Sequence, residues 1–327
     1  MSEKIFYGIL KFFRPIECSA DALGQAVDIS IGGHTGKLTL PSLPDWQDQD
    51  DDPFHKPLLG PSVACTWKRG EKLINWGRPS TYPMEQASVK RALVEFISHE
   101  SNLESNAKKI YQCFGAWLNL FEQYVILLTT QNTRRNVYVE GEDSDRLGNI
   151  ELLIKEEAKL RDISSTDSQK IEIVILTSGV DETLHLEQLK EASYLSSQNF
   201  PPRLEYRLLL EAYNARKAGD YRKAIIEAAS ALEISLTDRI LNEFDIQCVS
   251  FGEKLLKKFS ALGGRFELAR ILGVALPDKD YTSLLINPRN DVIHRASFPN
   301  EMLAYQVISE VEYLLKLFSP KIYKDTL

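Results

Sequence analysis

The sequence predicts an α+β N-terminal domain of mixed strands and helices, residues 1–198, followed by an all-α up-and-down helical bundle, residues 199–327. Three observations carry this. Up to about residue 80, apolar residues alternate with polar ones, the two-residue period of half-buried strands. Beyond residue 202 they recur every three or four positions, and no stretch keeps the strand period. Between the two regions, Ser196-Ser197-Gln198-Asn199 and Pro201-Pro202 make a polar, proline-bearing break of the kind that separates domains.

In the first domain, Ile5 to Phe13 is an apolar and aromatic run, and Val27, Ile29 and Ile31 alternate up to Gly32-Gly33, with Leu38 and Leu40 beyond. This spacing predicts a strand and then a hairpin. The run from Gly32 to Lys37 has too short a spacing for a phosphate loop and is followed by a strand pattern rather than a helix, so it reads as a β-turn. Asp48, Asp50, Asp51 and Asp52 lack the glycine and terminal glutamate of a calcium loop and read as solvated. Ser62 to Lys68 reads as a strand, with Trp67 and Trp76 as packing residues. After Pro83 the pattern predicts two helices, one bearing Val89, Ala92, Leu93 and Phe96, the next Leu103, Ile110, Phe114, Trp117, Leu118 and Phe121. Strands are predicted at Tyr124 to Thr129, Ile150 to Ile154 and Ile171 to Thr177, and a helix around Leu184 to Leu195. Asp143 and Asp145 lack the upstream glycine-serine turn of a nucleotidyltransferase and read as loop carboxylates.

The second domain reads as helices throughout. The first runs from Pro202 to Ala218, with Leu204, Leu208, Ala212 and Ala215 on one face, and Gly219 ends it. Asp220 caps a long second helix to about Phe244, with Ile225, Ala228, Ala229, Leu232, Leu236 and Ile240 inward. Ser250 and Glu253 form a capping box for a third helix, stopped by Gly263-Gly264. A short helix spans Phe266 to Leu272. A segment from Asp278 to Ala296 follows, and Asn300 opens a last helix bearing Val307, Val311 and Leu314.

The densest chemistry lies in Asn287-Pro288-Arg289-Asn290-Asp291-Val292-Ile293-His294. Asn287 as cap and Pro288 at the first helical position would put Arg289 and Asn290 in a first turn whose free N–H groups attract anions. Asn290 and His294, four apart, share a face. Arg289 lies about 140° round the helix from His294, five steps of about 100°, a gap its long side chain can span. Asp291 and Arg295 read as an ordinary surface pair.

Arg289 and His294 with four residues between them, and Asn290 beside the arginine, resemble the Arg-x4–6-His motif of the HEPN superfamily. The phrase Ala218-Gly219-Asp220-Tyr221-Arg222-Lys223-Ala224-Ile225-Ile226-Glu227-Ala228-Ala229-Ser230-Ala231-Leu232-Glu233 is similar to the first turn and second helix of HEPN domains. The likeness covers about residues 202–319 and leaves the first 198 outside it. It implies a metal-independent endoribonuclease without cofactor: the RNA 2′-hydroxyl attacks its own phosphate, Arg289 holds that phosphate, His294 moves the proton and Asn290 orients one or the other. It also implies a homodimer, two motifs sharing a cleft that Glu227 and Glu233 could reach. Toxins and antiviral effectors are common in that superfamily, and the likeness implies a regulated effector of this kind, which would leave residues 1–198 to sense a protein or small-molecule trigger or to restrain the nuclease. The alternative is a non-catalytic HEPN dimerisation or ligand-binding module attached to a sensing domain.

Composition sets bounds on this. Net charge is −7, and 18 Lys and Arg stand against 17 Asp and Glu from residue 200 onward, 21 against 29 before it. Acidity belongs to the first domain, so a local basic cleft for RNA is compatible with the second. Cys18, Cys65, Cys113 and Cys248 have no metal-ligand spacing, which points to a reducing compartment and no metal. The start of the chain lacks a signal-peptide core, and no run is long and apolar enough to span a membrane. The expectation is a cytoplasmic protein.

Overall fold

The computed structural model describes residues 3–44, 57–61, 68–69, 72–80, 85–99, 103–129, 131, 150–156, 159–162, 183–244, 249–295 and 297–323. The chain divides into two compact units, Met1–Pro201 and Pro202–Leu327. The first is α+β and the second helical.

The first unit is built on an antiparallel sheet of β1 (Glu3–Ser19), β2 (Ala26–Ile31), β3 (His34–Thr39), β6 (Gly77–Pro79), β7 (Gln86–His99), β8 (Ile150–Glu156) and β9 (Lys159–Asp162), with a separate ribbon of β4 (Lys68–Arg69) and β5 (Lys72–Leu73). Strand order is β2-β3-β7-β1-β8-β9, and β6 also pairs with β7. The expected hairpin is present: Ile31 pairs with His34 across Gly32 and Gly33, whose φ values of 60° and 81° are those a two-residue turn needs. Residues 12 to 15 of β1 oppose Lys90 alone on β7. Pro15, which has no N–H for the ladder, falls in that bulge.

Two expected elements exchange identity. Val89, Ala92, Leu93 and Phe96, expected on a helix, belong to β7, which is hydrogen-bonded along both edges and buries Ala87, Val89, Ala92, Leu93, Val94 and Phe96. Its burial alternates, at Ala87 and Val89 and then at Ala92, Val94, Phe96 and Ser98, but the phase changes at Lys90 and Arg91, where the register with β1 shifts, and the step from Val89 to Ala92 with Leu93 also buried imitates a helical period. Conversely, Tyr124 to Thr129, expected as a strand, is the end of α1 (Leu103–Thr129). Its short buried run of Tyr124, Val125, Ile126 and Leu127 has no polar side from which a helical period could be read.

Strand β8 lies where a strand was expected, whereas β9 was not anticipated. The strand expected at Ser62 to Lys68 lies outside the described residues except for Lys68, and the one at Ile171 to Thr177 wholly outside, as do Trp67, Cys65, Cys248 and the aspartates at 48, 50, 51, 52, 143 and 145. Helix α1 packs its Trp117 and Phe121 rings face to face at 5.2 Å, and Phe121 stacks on Phe12 of β1 at 6.1 Å. Helix α2 (Leu186–Ser197) completes the unit: Ser197 accepts hydrogen bonds from the Ser30 N–H at 2.8 Å and the Trp117 indole at 3.3 Å.

The second unit contains α3 (Leu204–Lys217), α4 (Tyr221–Leu241), α5 (Val249–Lys258), α6 (Leu262–Ile271), α7 (Asn287–His294) and α8 (Glu301–Phe318). Helix α4 is central. Asp220 caps it through the Lys223 N–H at 3.0 Å, and Ala224, Ile225, Ala228, Ala229, Ala231, Leu232, Leu236 and Ile240 are buried. Its small residues let two helices approach closely, α3, which buries Leu209, Leu210 and Ala212, and α8, which buries Val307, Val311 and Leu314. Leu204, expected inward, is exposed, and the buried face of α3 is carried by Tyr206, Leu209, Leu210 and Tyr213. Gly263 and Gly264 do not stop a helix. They lie inside α6, where a side chain on Gly264 would meet the Phe259 backbone at 3.2 Å. Helix α5 already includes Val249, so Ser250 lies inside it rather than at its cap.

Candidate functional site

The segment that carries Arg289 starts at Asp280, not at Asn287. Asp280 accepts a hydrogen bond from the Ser283 hydroxyl, which with the N–H groups of Ser283 at 3.2 Å and Thr282 at 3.1 Å holds its carboxyl below the usual range. Tyr281 beside it is fully buried and stacks on Phe266 of α6 at 4.6 Å, its hydroxyl donating to the Pro277 carbonyl at 3.1 Å. Burial, reinforced by Glu310, pushes its phenol up to about 12.

From Thr282 to Ile286 the chain forms a π-helical turn that runs directly into α7, and the Asn287 N–H bonds to the Thr282 carbonyl. Pro288 explains the widening, because it has no N–H to give the preceding turn and its ring crowds the carbonyl four residues back. The expected free first turn is therefore absent: Asn287 is helical, and Arg289 and Asn290 lie inside a continuous helix. An anion at this place must be held by side chains rather than by a helix N-terminus.

Those side chains form a cluster. Pro288 and Val292 point into the core, and Arg222 of α4 donates to the Val292 carbonyl at 3.1 Å. That arrangement turns Arg289 toward α4, where its Nη2 lies 3.3 Å from Glu233 Oε1, while Nη1 donates to Asn290 Oδ1 at 3.3 Å. Arg265 of α6 approaches the other side of Glu233, its Nη1 3.4 Å from Oε2 and 3.1 Å from the Glu233 main-chain carbonyl. Only about a fifth of each of these three charged side chains is exposed, so water screens them weakly.

The expected residues are thus divided. Arg289, Asn290 and Glu233 come together. His294 is exposed at the last position of α7, and among the described residues its imidazole forms no hydrogen bond or ion pair, with Asn290 or any other. Asn290 orients the arginine, not the histidine. Glu227 is half-buried on α4 and makes no ion pair among the described residues; six positions from Glu233, it lies about 240° round the helix. Asp291 and Arg295 form the expected surface pair at 2.9 Å. Arg265 was not anticipated, because the glycines before it read as a helix stop. The exposed Phe298, over which Arg222 lies at 5.7 Å, was missed as well, having no periodic pattern around it.

The chemistry available follows from this geometry. A guanidinium with two of its nitrogens oriented keeps N–H groups for an incoming oxyanion. His294 presents its imidazole to solvent at the end of the same helix. Among the described residues, no group of three or more His, Cys, Asp or Glu is placed to hold a metal ion, and no helix is long and apolar enough to cross a membrane. No family model matches the chain, and no curated protein or solved structure matches it either.

Proposed function

We propose that the second unit is a HEPN-like, metal-independent endoribonuclease that acts as a homodimer, with Arg289 and His294 as its catalytic residues. The observation that carries this reading is the Arg289 guanidinium, oriented by Glu233 and Asn290 on the helix that ends in the solvent-exposed His294. Arg289 would bind the phosphodiester and stabilise the charge that grows on its oxygens as the 2′-hydroxyl attacks. His294 would take the proton from that hydroxyl, and its counterpart in the second protomer would give one to the leaving 5′-oxygen. The products are a 2′,3′-cyclic phosphate and a 5′-hydroxyl. In this reading the first unit regulates the nuclease, as in a toxin or antiviral effector of the cytoplasm.

The test is cleavage of a mixed RNA pool with EDTA present, comparing wild type with Arg289→Ala and His294→Ala of matched melting temperature. Cleavage by wild type and loss in both variants is the expected result; variants that cut like wild type sink the proposal.

One observation favours a second reading, a non-catalytic dimerisation module. Ile293, Phe298, Met302 and Tyr305 are exposed around the end of α7 and the start of α8, an apolar group suited to a protein contact. A wild-type protein that sediments as a dimer, loses the dimer on Phe298→Asp and cuts no RNA would establish that reading instead.

A further inference from the structure

We infer that Arg265 is a positioning residue that acts through Glu233 to keep the Arg289 site positive, so that an RNA phosphate meets a net charge of +1; this rests on the nuclease reading above. Among the described residues Glu233 is the one carboxylate paired with two guanidiniums. The other described ion pairs of this unit match one cation to one carboxylate, except Arg203, which faces both Glu205 and Asp238. If Glu233 faced Arg289 alone, the pair would be neutral and a phosphate would gain little by approaching it. Arg265 changes that balance: it takes one carboxylate oxygen and the Glu233 main-chain carbonyl, leaving the other oxygen to aim Arg289.

The cation is built in rather than draped on the surface. Its side chain is about four-fifths buried, and its Nε is buried without a hydrogen-bond partner. A buried guanidinium is costly unless an opposite charge offsets it, and Glu233 offers a single carboxylate to two arginines. The local sequence brings Arg265 to this place. Gly263 leaves only ordinary contact room beside Ile286 of the π-helical turn, and Gly264 lies against Phe259, so the start of α6 sits close to the segment carrying Arg289.

Charge and structure can be separated by variants. Wild type has +1 at the cluster, Arg265→Gln has zero, and Arg265→Gln with Glu233→Gln has +1 again. The probe is a fluorescein-labelled single-stranded RNA with 2′-O-methyl sugars, which cannot be cut by its own hydroxyl, and the readout is anisotropy over a range of salt. Arg265→Gln is expected to weaken binding about tenfold and to reduce the salt slope by about 0.7, the value for one phosphate contact on a single strand. The double variant and Arg265→Lys are expected within about twofold of wild type. Unchanged binding by Arg265→Gln, a folded double variant as weak as the single one, or no binding by wild type overturns the inference. If Arg265→Gln melts early, the double variant and Arg265→Lys decide it, since weak binding by either when folded has the same consequence. Unmodified RNA distinguishes the two claims: a wild type that obeys this charge pattern but never cuts removes the nuclease reading alone, whereas cutting with binding indifferent to Arg265 removes this inference alone.

Discussion

Among the described residues, polar side chains of 1–201 mostly hold the unit's own main chain, whereas in 202–327 charged side chains meet one another between helices. Gln131 both accepts the Glu17 N–H at 2.7 Å and donates to the Glu17 carbonyl at 2.8 Å, and Tyr124 donates to the Phe200 carbonyl at 2.7 Å. Each such group is satisfied by main chain and has little left to offer a ligand. In the second unit, Glu233 stands between Arg265 and Arg289, with donors left over on both arginines. A ligand's charge could be matched there. The difference teaches where to look for chemistry: where polar groups are shared unequally, not merely where they are numerous.

Five expected outcomes test this contrast between the units. The largest concerns activity. Arg289→Ala and His294→Ala should each reduce RNA cleavage by about 100-fold or more, the scale of losing a transition-state charge partner or a proton-transfer group, while Gln131→Ala in the first unit should leave the rate of a folded protein unchanged. Equal loss in Gln131→Ala would end the division of labour.

Next in size are two stacked aromatic residues, Phe266 of the second unit and Phe121 of the first. Phe266→Ala and Phe121→Ala should each cost about 3–5 kcal/mol in urea unfolding. Phe266→Ala should also weaken binding of the uncuttable RNA, because Phe266 holds Tyr281 at the start of the Arg289 segment. Glu233→Ala is the third. It leaves two guanidiniums facing each other without their carboxylate and should cost about 1–3 kcal/mol, reduced from a fully buried pair because a fifth of each side chain is exposed.

The fourth is a pH dependence of the second unit. Tyr206 and Tyr281 both have phenols pushed up to about 12, mainly by burial. Folding favours their neutral form, so this contribution is whole below about pH 10 and is lost as pH rises towards 12. Circular dichroism should show alkaline destabilisation in that window, and Tyr281→Phe should lessen it. The smallest effect is that of Arg295→Ala, at about 0.3–0.5 kcal/mol, since its pair with Asp291 is largely exposed.

Much of this was legible in the sequence where one face of an element meets water. The Gly32-Gly33 hairpin, the Asp220 cap and the inward residues of α4 all follow from local pattern and turn chemistry. Legibility failed at Tyr124 to Thr129, where an unbroken apolar run leaves no polar side from which to read a period, and at Val89 to Phe96, where a shift in the strand's alternation puts buried residues at helical spacing. At the site, Arg289, Asn290 and Glu233 could be named from the motif and from an acidic residue on an apolar helix. That Glu233 meets Arg289 could not, since it depends on a π-helical turn that Pro288 favours but no spacing announces. Arg265 was hidden by two glycines that serve close packing rather than a turn.

The most direct test of the central claim is the chemistry of the ends left on a defined RNA, read by mass spectrometry after incubation with wild type in EDTA. Wild type should leave 2′,3′-cyclic phosphate and 5′-hydroxyl ends at its cleavage sites, and His294→Ala should leave the RNA intact. Ends bearing a 5′-phosphate, or the same cyclic ends formed at the same rate by His294→Ala, would contradict it.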